Sequence, residues 1–264
     1  MIASNRKKKP VALDGRYAAP ALEKGLDILE LLADEPSGLG QKQIADRMGK
    51  SSSEIFRMLM CLETRGFVRR NHPSETYALT SRLFELSHRH PPTKRLLDAA
   101  LPMMRFLSSE QAQSCHLSVL DGDHVLIQAQ VESPRDHGFT VRVGARFPLE
   151  QTTSGQVLLA FEVEQVRNEV LSKLNEPIRK SLETQIEAIR KRGFERRRSR
   201  TVVGIIDLSI PVIDHAGRAV AALTVPYVSP KGSTGRRVAA DRALDALRGA
   251  AAKITELIGG GVIE

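Results

Sequence analysis

Only two cysteines occur in the 264 residues of this chain, and their placement removes several classes of protein at once. Cys61 and Cys115 are far apart, share no Cys-x-x-Cys spacing and lie within apolar runs. Such a pair reads as buried thiols in a reducing compartment, with neither a disulfide framework nor a zinc site. Also missing is any apolar run near the roughly 18 residues needed to span a bilayer, so no membrane partner is expected. The basic start, Asn5-Arg6-Lys7-Lys8-Lys9-Pro10, is not followed by a secretory apolar core. A cytoplasmic location is the expectation. Catalytic signatures are scarce as well: there is no Gly-rich phosphate loop, no Gly-x-Ser-x-Gly elbow and no His-Glu-x-x-His pair. The scattered histidines, including His116 beside Cys115, make no acid–base set. No catalytic residue, metal ligand or cofactor is expected, and an enzyme is kept only as a competing class.

What the chain does contain is a net charge of +8, which suits a nucleic-acid partner without proving one, and a segment that specifies how such a partner is read. In Gln41 to Arg70, Ile44, Ala45 and Met48 share one face of a short helix. Ile55, Met58, Leu59 and Leu62 repeat the helical period on a second. Gly49-Lys50-Ser51-Ser52 connects them, with Gly49 suited to a left-handed end. Ser51 followed by Glu54 is a capping box that fixes where the second helix begins; Glu54 is accordingly read as a cap and not as a cytosine reader. Projected at about 100° per residue, Ser53, Phe56, Arg57 and Met60 face away from the buried stripe. Arg57 suits guanine or a phosphate, Ser53 either, and Phe56 a thymine methyl. Gln41, Lys42, Lys50 and Ser52, around the two helix starts, complete the candidate contacts. Downstream, Val68 to Arg70 and Glu75 to Leu79 flank a polar turn at Asn71 to Ser74. This hairpin reads as a wing that carries Arg69 and Arg70 toward phosphates, so double-stranded DNA is the expected partner. The competing reading of the same residues is an ordinary helix pair with solvated arginines.

Residues 1–19 read as a disordered basic tail and residues 20–90 as a winged helix-turn-helix domain. Its core is completed by a helix with Leu22, Leu26, Leu29 and Leu32 on one face. Pro91-Pro92 breaks the chain, and residues 91–110 read as a linker helix with Leu97, Leu101, Met104 and Leu107 in register and a kink expected at Pro102. Residues 111–264 form a second domain. Cys115 to Leu120 and Val125 to Val131 flank an Asp121-Gly122-Asp123 turn; Ile205 to Ile213 and Ala219 to Val225 flank Asp214-His215-Ala216-Gly217. Helical patterns fall between the hairpins at 155–161, 164–171 and 182–192, and a last one joins Ala240, Leu244, Leu247, Ala251, Ile254 and Ile258. Gly259-Gly260-Gly261 reads as a flexible end. The fold class is therefore α+β with a mainly antiparallel sheet.

With both halves in view, the chain resembles the IclR family of bacterial transcriptional regulators. The resemblance rests on LEKGLDILELLA, QIADRMGKSSSEIFRMLMCLETRGFV, HLSVLDGDHVLIQAQVESP, RVGARFPL followed by SGQVLLAF, and GIIDLSIPVIDHAGRAVAALTV. It implies an amino-terminal winged helix-turn-helix, a linker helix used in dimerisation and a carboxy-terminal effector-binding domain resembling a GAF module. Such regulators bind small organic acids, sugars or aromatic compounds and repress or activate nearby operons.

The resemblance also implies where a small-molecule effector sits: Thr152, Thr153, Ser154 and Gly155 before the SGQVLLAF helix, the run Arg197 to Arg200 with Arg198 and Arg200 as the candidates, Asp207 and Ser209, and Thr224. Independently, Asp207 and Ser209 alternate with Ile206, Leu208 and Ile210, so both address one sheet face, as Thr224 does in the partner strand. Two readings stay open for Asp207: a ligand-binding carboxylate, or a buried acid paired within the chain. Thr152 to Gly155 is likewise a helix cap or an anion site. The arginine run Arg196 to Arg200 stands where many relatives carry acidic residues, and Asp207 where they often carry Cys or another small side chain. An arginine of that run turned inward implies an acidic effector, as an organic or sugar acid. The whole is expected to act as a repressor, a homodimer or homotetramer on near-palindromic half-sites about 34 Å apart, with effector binding coupled to the reading helices through the linker. A DNA-binding architectural protein without a ligand is the remaining alternative.

Overall fold

The computed structural model describes residues 19–136, 138–200, 202–229 and 236–261. The basic tail therefore lies outside the described residues except for Ala19. The chain divides into two compact units, Met1–His90 and Pro91–Glu264, and the described residues form nine α-helices and nine strands.

The first unit begins with α1, Pro20–Ala33, started by a proline that has no amide to leave unpaired. Strand β1, Leu39–Gly40, leads into α2, Gln41–Met48, and α3, Ser52–Thr64. The wing is β2, Val68–Asn71, and β3, Thr76–Leu79, paired antiparallel from Val68↔Leu79 to Asn71↔Thr76. Ile28, Leu32, Leu39, Ile44, Ile55, Leu59, Val68 and Tyr77 close the core. Each such side chain taken out of water stabilises the unit by about 1.5–3 kcal/mol before the entropy of ordering it is subtracted. The expected stripe on α1 is partly wrong. Ile28 and Leu32 are buried, but Leu22 and Leu26 are 63% and 50% exposed, because the helix turns its Ile28 side to α3 and leaves its first two turns outside. A further helix, α4, Arg82–Arg89, lies where sequence reading placed only the end of the domain.

The second unit opens with α5, Pro91–Gln111, which runs through Pro102 as one helix. Six strands then form one antiparallel sheet in the order β6-β5-β4-β9-β8-β7. They are β4, Cys115–Asp121, β5, His124–Val131, β6, Arg146–Pro148, β7, Glu195–Arg198, β8, Ile205–Ile213, and β9, Ala219–Val228. One face packs on α5 and on α9, Arg236–Leu257, through Met104, Leu107, Leu117, Leu208, Leu223 and Leu247. The other face packs on α6, Thr153–Ala160. Behind α6 stand α7, Glu164–Ser172, and α8, Glu176–Arg192, and Leu158, Val170, Leu182, Ile186 and Ile189 fill this second layer.

Two further expectations fail in instructive ways. Cys61 is exposed, while Cys115 is buried; the apolar run around Cys61 belongs to a helix whose opposite face carries the core. The triple glycine is docked and not flexible at Gly259 and Gly260. Gly259, at φ 77°, ends the chain's helical course, and Gly260 lies so close to the Ile213 carbonyl that a Cβ would stand 1.8 Å from its oxygen. Only glycine fits there.

Candidate functional site

The start of α3 is held from three sides. The Ser51 hydroxyl accepts from the Glu54 amide at 3.4 Å, the Glu54 carboxylate accepts from the Ser51 amide at 3.2 Å, and Lys24 of α1 donates to the same carboxylate at 2.5 Å. The Lys24 hydrogen bond, with those from Ser51, holds the Glu54 carboxyl down at about 2. The left-handed Gly49, at φ 62°, turns the chain between the helices, and Gln41 donates to the Ser52 carbonyl at 2.9 Å, tying the start of α2 to that of α3. Ile55 and Leu59 face inward, and Ser52, Ser53, Phe56, Arg57 and Met60 form one exposed face. Among the described residues the side chains of Arg57, Lys42 and Lys50 make no ion pair or hydrogen bond. In the wing, Arg69 donates to Asn71 at 3.2 Å. Arg70 is paired with Glu75 and stacks over Tyr77, which makes it a braced side chain where Arg57 is a free one.

The second candidate site lies on the α6 face of the sheet. Cross-strand partners share a face, and the pairings Gln130↔His116, His116↔Thr224, Thr224↔Ser209 and Ser209↔Glu195 lay a row of five polar residues across five strands. Ser209 and Thr224 join hydroxyls at 2.8 Å, and Glu195 is paired with Arg192 at 2.8 Å. At the other end of the row, His116 Nδ1 and Gln130 Oε1 are buried without a hydrogen-bond partner. Burial drives the His116 imidazole down to about 4, so it is neutral near pH 7.

Beside this row Asp207 pairs across to Arg197. Thr153 bridges them: the Arg197 Nε donates to the Thr153 hydroxyl at 3.2 Å, which donates to Asp207 at 3.1 Å. Arg197 also donates to Gln156 at 2.7 Å, Gln185 at 3.3 Å and the Gln151 carbonyl at 3.4 Å. Burial raises the Asp207 carboxyl above its ordinary range, against hydrogen bonds from Thr153 and Ser199 and the charge of Arg197. Burial likewise lowers Arg197, aided by Arg200, though a guanidinium stays charged at any working pH.

The structure gathers Thr153, Asp207, Ser209 and Thr224 on one face under the first turn of α6. It does so by making Glu195–Arg198 an edge strand, which corrects the choice of arginine. Glu195 and Arg197 face α6, whereas Arg196 and Arg198 face the other way, Arg196 pairing with Asp241 of α9. Arg198 is exposed and aligned with Ile206. Arg200 lies past the strand, donates to the Glu150 carbonyl at 3.4 Å, and lines a cavity of about 240 Å³ with Gln156, Ile178 and Gln185. Thr152 caps α6, accepting from the Gly155 amide at 3.0 Å, and Gly155 has no room for a side chain against the Leu149 carbonyl. Ser154 is buried in the same turn.

Sequence reading misses His116, Gln130, Gln156 and Gln185, and it places Arg197 in the effector run without singling it out. A straight register from Asp121↔His124 pairs His116 with Ala129. A bulge between Leu117 and Ser118 moves it to Gln130, and alternation alone does not reveal a bulge.

Comparison with known proteins resolves what this two-unit arrangement is. The IclR helix-turn-helix model matches residues 21–72, and the model of the bacterial transcriptional regulator IclR C-terminal domain matches residues 93–256. The chain belongs to the IclR family. It is a DNA-binding, helix-turn-helix transcriptional regulator of the effector-modulated kind. Among curated relatives, the HTH-type transcriptional regulator KdgR of Dickeya chrysanthemi is 29% identical over 77% of this chain and 69% of its own. The glycerol operon regulatory protein of Streptomyces griseus is 28% identical over 91% of this chain and 97% of its own. Among solved structures, an IclR homolog from Microbacterium hydrocarbonoxydans complexed with 4-hydroxybenzoate superposes with a TM-score of 0.74 at 23% identity, covering 90% of this chain and 98% of that one. Among the described residues, no helix of the regulator is long and apolar enough to cross a membrane.

Proposed function

We propose that this IclR-family regulator is a cytoplasmic, homo-oligomeric repressor without enzymatic activity, whose grip on its operator is set by a small acid bound between α6 and the polar row of the sheet. Supporting the repressor reading, one relative, 25% identical, carries the name DNA-binding transcriptional repressor YiaJ. The observation that carries the effector reading is the buried polar row itself. Unpartnered polar atoms in a dry interior cost stability, and His116 and Gln130 hold two of them, His116 directly across from Thr224 and Gln130 one strand further out. A carboxylate on Arg197, with a hydroxyl donating to the neighbouring Asp207, engages the β7–β8 end of this face, and the polar row continues from there through Ser209 and Thr224 to His116. An organic or sugar acid has that chemistry.

On the DNA side, Ser53, Phe56 and Arg57 are assigned to base edges and Gln41, Lys42, Lys50, Ser52, Arg69 and Arg70 to the backbone. Support comes from the unengaged Arg57 on the exposed face of a locally capped helix. Oligomerisation is supported by large apolar side chains left at the surface: Leu22, Leu26 and Phe84 in the first unit and Phe106, 64% exposed, in the second. Palindromic half-sites would then meet two copies of α3.

Thermal shift against organic and sugar acids finds the effector, because a ligand that binds only the folded state raises its stability. Fluorescence anisotropy on promoter DNA from the neighbouring genes then reads the coupling. The expected result is that the same acid both raises Tm and weakens operator binding. Operator affinity unchanged at saturating effector would count against the proposal.

A further inference from the structure

A larger cavity than the one beside Arg200 lies elsewhere in the second unit. A space of about 530 Å³ opens between the first turn of α5, the β4–β5 hairpin, the β8–β9 turn and the end of α9. This is the size of a small-molecule site. It lies on the α5 side of the sheet, apart from Asp207 and Arg197. Its apolar wall is Leu96, Val119, Val220 and Ile258.

Two polar groups give it a chemistry. Gln128 is the unpaired residue of the bulge, skipped by the register between Ile127 and Ala129. It lines the cavity, and its Oε1 is buried with no hydrogen-bond partner. An amide oxygen in that state needs a donor. Arg95, near the start of α5, also lines the cavity, and among the described residues its side chain has no ion pair or hydrogen bond. The other charges around the rim are already engaged. Asp214 accepts from the Ala216 and Arg218 amides and from the Arg218 guanidinium, and the Glu162 carboxylate accepts from the Val163 amide at 2.9 Å. The walls are fixed as well, since Gly260 is wedged on Ile213 and the Thr255 hydroxyl accepts from the Ile213 amide at 3.1 Å.

We infer that this cavity is a second ligand site, distinct from the α6 face, for a small, mainly apolar carboxylate that also carries a hydroxyl or amide donor. The carboxylate meets Arg95, the apolar body covers Leu96, Val119 and Val220, and the donor satisfies Gln128. Because the site is built on the first turn of α5, occupancy ties that turn to the sheet.

The test titrates the full chain with 4-hydroxycinnamate by calorimetry, with unsubstituted cinnamate as the control for the hydroxyl. Expected are saturable binding of 4-hydroxycinnamate, at least about tenfold weaker in Arg95→Gln, and a Gln128→Leu variant that no longer prefers the hydroxylated acid. Val220→Phe, which fills the cavity, should abolish binding, while Asp207→Asn should leave it unchanged. Circular dichroism melts confirm that each variant is folded; Arg95→Gln, at an exposed position, serves if Val220→Phe fails. Binding that survives Arg95→Gln and Gln128→Leu, binding lost in Asp207→Asn alone, or no binding at millimolar concentrations overturns the second site. Binding lost in Asp207→Asn alone would assign this acid to the α6 face instead; the other outcomes leave the effector assignment at that face untouched.

Discussion

His116 carries no charge at neutral pH because the sheet buries it, and that single fact has a measurable consequence. Its value of about 4 lies below the ordinary 6.5, so between those values the unfolded chain binds a proton that the folded chain refuses. The contribution is fully present above pH 6.5 and is lost as pH falls toward 4, on the order of 3 kcal/mol in all. Urea midpoints of the parent and of His116→Gln, compared at pH 7 and pH 4.5, should converge as the parent loses stability. An undiminished gap would mean the imidazole is not dry. Asp207 is the opposite case, a carboxyl raised by burial. Asp207→Ala should abolish the effector response in an anisotropy titration and spare operator binding; an intact response removes Asp207 from the site. At this scale the sequence was legible only where alternation continues unbroken. That Asp207, Ser209 and Thr224, positions implied by the resemblance, share one sheet face follows from period two, and the register bears that shared face out. Within the run Arg197 to Arg200, sequence alone does not single out Arg197 over Arg198 and Arg200, because a run of arginines has no apolar phase to show which side chain turns in, and His116 escapes it because its partner depends on a bulge.

Elements were more legible than residues, for a physical reason. Helices α2 and α3, the wing and both long hairpins announce themselves by periodicity and turn chemistry that act within a few residues. The capping box of α3 is one of these local devices, and it is directly testable. Ser51→Ala should cost the first unit about 1 kcal/mol in thermal or urea unfolding; no change would mean that Lys24 and the α2–α3 turn suffice without it. Glu54 adds a pH signature. Its carboxyl is held near 2 against an ordinary 4.5, so its contribution is present above pH 4.5 and is lost as pH falls toward 2. The elements that were missed lack such signals. β1 is two residues long, and β7 is Glu-Arg-Arg-Arg, whose strand conformation comes from pairing with β8. The docking of Gly260 depends on Ile213, far away in sequence, and is invisible to any local rule.

At the level of the whole molecule, the two units divide the work that the family membership implies: a helix pair that presents Arg57 outward, and a sheet that stores unsatisfied polar groups on one face and an open cavity on the other. The first was readable from sequence because a DNA-facing surface is what remains when a helix's apolar stripe is buried. The second was readable only in outline, since the polar face is assembled from five strands and its register is a property of the folded sheet. The most direct measurement of the central claim is operator binding by Arg57→Ala, followed by anisotropy on the operator, on single-base variants of it and on unrelated DNA. The account predicts a loss of about 1–3 kcal/mol on the operator with relaxed preference at one base position, and little change on unrelated DNA. Operator affinity and base preference equal to the parent's would contradict it.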